Sequence, residues 1–311
     1  MKHPRTIFLA VVLLFVAATA SAQTRNGFDL AGALVPMSQI ESGGPPKDGI
    51  PAIDQPRFVT ADNAHFLHAD DRVLGVERNG IAKAYPVRIL NWHEIVNDTF
   101  GTEPIVVTFC PLCGTGIAYV SRVDGKPLDF GVSGLLYNSD ALLYDRQTQS
   151  LWSQILAEAV SGPLKGTRLT AVALAHTSWD DWRHRHPDTL VLSTDTGFVG
   201  DYTRDPYASY VHSRTLMFPV ARRSGRYPPK EPVIGIEVDG KFKAYPFAEL
   251  ARVKGGEVTD TLGGKTLTIR YDSAQRTGTV FDAQGREIPS ITAFWFAWYA
   301  FHHDTEVFEA K

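Results

Sequence analysis

Residues 73–90 read VLGVERNGIAKAYPVRIL, and residues 233–250 read VIGIEVDGKFKAYPFAEL. Nine of the eighteen aligned positions are identical, which makes an internal repeat the organising feature of the chain. In each copy a β-branched run meets a two-residue turn, Asn79-Gly80 or Asp239-Gly240, and a second run ends in Ala-Tyr-Pro. Asn-Gly and Asp-Gly accept the positive φ angles of tight hairpin turns, so each copy is expected to open with a β-hairpin. Pro86 and Pro246 should end the second strand and start a short helix, because a first helical position needs no N–H.

The repeat continues at a slightly changed offset. Asn97-Asp98-Thr99 answers Thr259-Asp260-Thr261, the run 105–109 answers 267–271, and Thr115-Gly116 answers Thr277-Gly278. Trp179-Asp180-Asp181-Trp182 is echoed by Trp295-Phe296-Ala297-Trp298. The predicted fold is α+β and β-rich, two related halves built from hairpins with short helices. Its expected divisions are a signal peptide over 1–22 and an N-terminal segment over 23–69. A first half over 70–220 and a linker over 221–232, marked by three prolines, lead to a second half over 233–311.

Lys2 and Arg5 precede an apolar run and Ala20-Ser21-Ala22, the pattern of a cleavable export signal. The expected product is soluble and exported, periplasmic or secreted, with no membrane attachment after cleavage. Residues 291–301 are too short and aromatic to span a bilayer, which takes about 20 residues. The net charge of −3 becomes −5 once Lys2 and Arg5 leave. No basic run tracks the chain, so nucleic acid is not an expected partner. No nucleotide or flavin signature is found.

The register sets Cys110 opposite Asp272 and Cys113 opposite Gln275. Cys110-Pro111-Leu112-Cys113-Gly114 therefore holds the chain's two cysteines in one copy only, and a scaffold built elsewhere without thiols does not need them. Two glycines and β-formers follow, which reads as a returning strand with no helix to acidify Cys110. A tight Cys-Pro-x-Cys-Gly turn between strands suits metal ligation. With no second pair of thiols, other side chains must complete the site. His93 is the first candidate; His65, His68, His176, His186 and His212 are weaker. His302 and His303 are expected at the surface, and the Trp-x-x-Trp pairs in the core.

Three readings stay open. One is a copper or zinc site formed by Cys110, Cys113 and His93, with a metal ion or small molecule as partner. A second is a thiol–disulfide oxidoreductase or thiol-dependent enzyme, Cys110 attacking and Cys113 resolving, with Glu94 or Asp145 as base. The third is a binding module with a structural Cys pair; a disulfide closing so short a loop would stabilise by only about 2 kcal/mol. Residues 135–170, an addition to the first half rich in polar side chains, are placed to wall a pocket, with Tyr137, Asn138, Arg146 and Trp152 as lining candidates.

Four runs, FCPLCGTGIAYV, AYPVRILNWHEIVND, SGLLYNSDALLYDRQTQSLWSQ and TAFWFAWYAFHHDTEVF, together resemble the bacterial family known as domain of unknown function 3179, over about residues 70–308. The resemblance implies no particular activity. It directs attention to His93, Glu94, Cys110, Cys113, Tyr137, Asn138, Asp145, Arg146 and Trp152.

Overall fold

The structure, a computed structural model, describes residues 23–311. The expected signal peptide lies outside the described residues. Strands β1 (Arg72–Arg78) and β2 (Ile81–Pro86) form the first hairpin, with Val73 opposite Pro86. Asn79 and Gly80 between them take φ of 54° and 73°, the left-handed pair that a type I′ turn requires. Pro86 caps α1 (Val87–His93), which Glu94 ends at φ 59°. An antiparallel meander follows: β3 (Ile95–Phe100), β4 (Glu103–Cys110) and β5 (Thr115–Val120). The hairpin β6 (Phe130–Tyr137) and β7 (Asp140–Asp145) comes next. Strand β8 (Ala175–Ser178) then returns to pair with β1, and Ser178 caps α2 (Trp179–Arg185) by accepting from the Asp181 N–H. A short α3 (Ala208–His212) lies in the connection to the second half.

Residues 232–301 run through a similar order of elements, without a counterpart of the β6–β7 hairpin. Strands β9 (Pro232–Val238) and β10 (Lys241–Pro246) repeat the hairpin, with Asp239 and Gly240 at φ 49° and 73°. After α4 (Phe247–Leu250) come β11 (Glu257–Leu262), β12 (Lys265–Asp272) and β13 (Thr277–Asp282), again an antiparallel meander. Strand β14 (Ile291–Phe294) pairs back with β9 and leads into α5 (Trp295–Phe301).

The identities between the two stretches have physical causes. Gly75 and Gly235 lie under Trp182 and Trp298, where an added Cβ would stand 2.2 and 2.1 Å from the indole. Each glycine lets a tryptophan lie flat on the sheet, and all four Trp of the two Trp-x-x-Trp pairs are buried. Lys83 forms two bonds with Asp98, at 2.8 and 2.9 Å, while Tyr85 donates to the same carboxylate at 2.6 Å. Lys243, Tyr245 and Asp260 repeat that cluster, with a 2.8 Å ion pair and a 3.0 Å hydroxyl bond. The shared Lys-Ala-Tyr and Asp-Thr sequences are therefore one polar device used twice.

The largest sheet runs across both halves. Its order is Glu306–Val307, β10, β9, β14, β5, β4, β3, with Thr170–Val172 also on β5. The β14–β5 link, Thr292 opposite Gly116, joins the halves beside the thiol turn. A five-stranded sheet containing β6 and β7 covers the other side of that turn, and Cys110 and Cys113 fall within the apolar core between the two. His302 departs from expectation. It is 7% exposed and stacks between Phe242 and Trp298, because the aromatic helix α5 turns it inward.

Candidate metal centre

Strand β4 ends at Cys110, and a tight turn carries the chain through Cys113, whose N–H donates to the Cys110 carbonyl at 3.2 Å. Gly114 takes φ 61°, the left-handed geometry that lets β5 begin at once. The second half holds the turn in place: Phe294 N–H donates to the Cys113 carbonyl at 2.8 Å. Tyr210 of α3 donates to the Leu112 carbonyl at 3.1 Å.

Both thiols point inward, unbonded to each other, with exposures of 1% and 0%, and face the Ser139 carbonyl. Across from them the β6–β7 turn passes through Asn138 and Ser139, both at positive φ, and delivers Asp140. One ligand atom from each of Cys110, Cys113 and Asp140 lies within 4.8 Å of the others. A tetrahedral zinc site with sulfur bonds near 2.3 Å has donor atoms roughly 3.7 Å apart, so closure of at most about 1 Å would bring all three into bonding range. Asp140 Oδ2 accepts from Ile155 N–H at 3.2 Å, while Oδ1 is buried without a partner. Ser139 Oγ and Gln154 Oε1 are likewise buried and unpaired. Each such atom costs free energy until something binds it.

The electrostatics are one-sided. Burial lifts the Asp140 carboxyl to about 7. Glu94, at the end of α1, is pushed up to about 8 by burial and by Asp140. Burial also raises Cys110, with Asp140 and Glu94 adding to it, and drives Cys113 well above the ordinary thiol range. The leading charges acting on these four groups are one another, and no lysine, arginine or histidine is among them. Such a cluster is stable only when protonated or when it shares a cation.

His93 is placed elsewhere. Its Nδ1 lies 2.7 Å from the Pro51 carbonyl and its Nε2 2.6 Å from the Tyr202 hydroxyl, so both ring nitrogens are committed. Asp140, not His93, is the side chain brought to the sulfurs. Asp145 holds the following turn, accepting from Thr148 N–H at 2.6 Å, the Thr148 hydroxyl at 2.8 Å and Trp152 Nε1–H at 2.9 Å. Trp152 is sealed in the core against Phe130. Arg146 pairs with Asp54 at 3.2 Å, Tyr137 packs edge-on against Phe301, and Asn138 Oδ1 accepts from Ala221 N–H at 2.8 Å. Of the added segment's candidates, none lies in the three-residue group; the segment contributes Asp140, with Ser139 and Gln154 beside it.

Glu94 permits a direct check. Its folded pKa lies above that of the unfolded chain, so its contribution favours folding at low pH and is lost as pH rises from about 4.3 through about 8. The side chain keeps some exposure, so in metal-free protein Glu94→Gln is expected to gain about 1–3 kcal/mol at pH 8.5. Near pH 5 the gain should shrink towards zero. Urea unfolding at the two pH values measures it, and an equal difference at both would contradict the electrostatic account.

The sequence matches a family over residues 47–305, described as "Protein of unknown function (DUF3179)". The chain belongs to this family. The thiol turn, the Asp140 turn and strands β1 to β14 fall inside the matched region, while strand Ile40–Ser42, which pairs with β6, precedes it. No curated protein and no solved structure matches the chain. Among the described residues no helix is long and apolar enough to cross a membrane.

Proposed function

We propose that this DUF3179 protein is exported and binds one transition-metal ion at Cys110, Cys113 and Asp140. The observation that carries the reading is the cluster of acidic groups with no neighbouring cation, two of them thiols, around an unpaired Asp140 oxygen. Two thiolates with a carboxylate suit zinc better than Cu(I), because a hard oxygen replaces the imidazole expected from sequence. Ser139 Oγ and Gln154 Oε1, both buried without a partner, are the candidates for a fourth, neutral donor. In this reading the chain arose by internal duplication, with halves over 70–220 and 233–311 joined by 221–232, and the site developed in the first.

Thiol–disulfide exchange is the second reading, favoured by the adjacency of the two sulfurs. It is weakened by the same burial, since attack needs an exposed thiolate of lowered pKa and both thiols are shifted the other way.

Metal content after anaerobic purification tests the proposal. About one zinc per chain is expected in the wild type. The Cys110→Ser/Cys113→Ser double variant and the isosteric Asp140→Asn should lose it, while His93→Gln should retain it. Near-UV circular dichroism shows which variants stay folded. Equal metal in wild type and folded Asp140→Asn would overturn the site as drawn.

A further inference from the structure

On the outer side of the thiol turn, where the two halves meet, lies a cleft of about 250 Å³. Its wall uses corresponding positions from both copies. Val87 and Phe247 each follow the proline that ends a hairpin. Gly114 and Arg276 are the left-handed residues of the two equivalent turns, at φ 61° and 49°. His176 and Thr292 stand opposite Leu74 and Ile234, the second residue of each repeat. The positions match but the chemistry does not. Arg72, His176 and Arg276 bring nitrogen-bearing side chains to the wall, whereas Pro232, Thr292 and Gly114 answer them with neutral groups.

This cationic end is poorly neutralised by the protein. Arg72 donates only to carbonyls: those of Gln275 at 2.7 Å, Arg276 at 3.2 Å and His176. Asp181, the carboxylate whose charge reaches Arg72, is committed to Arg185 at 2.6 Å and Thr177 at 2.7 Å. Glu231 feels Arg276 but forms no ion pair with it, and instead accepts from Ala248 N–H at 2.8 Å. Asp205, the one carboxylate in the wall, is held by Asn91 and Tyr207 N–H. His176 Nδ1 is buried without a partner. Burial, helped by Arg276, brings Arg72 down to about 10, and burial with the two guanidiniums holds His176 well below the usual imidazole range. An anion here would relieve all three groups. Apart from Asn91, Asp205, Tyr207 and Thr292, the rest of the wall is apolar, with Phe109, Phe247 and Phe294.

We propose that the cleft binds a small organic carboxylate, its head group between Arg72 and Arg276 and its apolar body against Phe109, Phe247 and Phe294. Guanidinium groups match a carboxylate in shape and charge. In its Nδ1–H tautomer the neutral His176 donates a further bond. Ligand pockets usually begin near 300 Å³, so the volume admits about one ring and its acid group. This site is separate from the metal reading and needs no ion at the sulfurs.

Calorimetric titration of the full mature chain with phenylacetate tests it, beside the uncharged phenylacetamide and inorganic sulfate. Phenylacetate should bind saturably, with the amide and sulfate each at least about tenfold weaker. Arg276→Gln should weaken phenylacetate at least about tenfold. It should leave the melting temperature nearly unchanged, since this exposed side chain makes no hydrogen bond or ion pair among the described residues. Absence of saturable phenylacetate binding, equal binding of the amide or of sulfate, or an unaltered affinity in Arg276→Gln would each overturn the proposal.

Discussion

Asp98→Ala is expected to destabilise the protein by about 3–5 kcal/mol, the usual cost of stripping one partner from a buried ion pair. Lys83 and Asp98 are only 8% and 9% exposed. The carboxylate also accepts from the Tyr85 hydroxyl and, at 2.7 Å, from Thr99 N–H. Its removal leaves an ammonium facing the rings of Phe58 and Phe100, with the Thr99 carbonyl as its remaining hydrogen-bond acceptor. The equivalent Asp260→Ala should cost less. Lys243 and Asp260 are more exposed than their counterparts, and Lys243 has Glu306 in reserve at 3.5 Å. Urea unfolding of the two variants gives the comparison. Adding Lys83→Met to Asp98→Ala should recover part of the loss, because no buried charge then remains. A cost below about 1 kcal/mol for Asp98→Ala would mean that water reaches the pair.

Metal affinity should depend on pH more steeply than at an exposed site. Both thiols are held protonated well past neutrality by burial and by the carboxylates beside them. Binding must therefore expel two protons, and affinity should rise about 100-fold per pH unit between pH 7 and 8. Below about pH 7 the Asp140 carboxyl is protonated as well, and the slope should approach about 1000-fold per unit. In Asp140→Asn the extra steepening should vanish along with most of the affinity. Competition against a chromophoric chelator across pH 6–8 reads the slope. A change of about tenfold per unit or less would show that at most one thiolate takes part.

Much of the scaffold was written in local chemistry. Asn79-Gly80 and Asp239-Gly240 announced their hairpins because few other pairs accept two successive left-handed residues. The strand after Cys113 was legible because Gly114 lets the turn close and Thr115, Ile117, Tyr119 and Val120 suit a sheet. The third member of the metal group was not, because Asp140 lies far along the chain and reaches the sulfurs only when two sheets face each other. The polar triplet Asn138-Ser139-Asp140 inside the apolar run GLLYNSDALLY was the available signal. His93 misled for the converse reason: nearness in sequence to β4 does not fix where an imidazole points, and here it faces Pro51 and Tyr202. Asp145 resembled a base, yet its lone pairs were already claimed by Thr148 and Trp152 within its own turn.

The carbonyls of Cys113 and Gln275, equivalent atoms of the two bends, are each capped from the opposite lobe, one by Phe294 N–H and the other by Arg72. Ser178 donates to the Gln275 side chain as well. Neither lobe is thus a finished object. Severing the polypeptide between them would release two mutually dependent fragments rather than two miniature proteins, and drift in the sulfur-free lobe would be felt at the sulfurs.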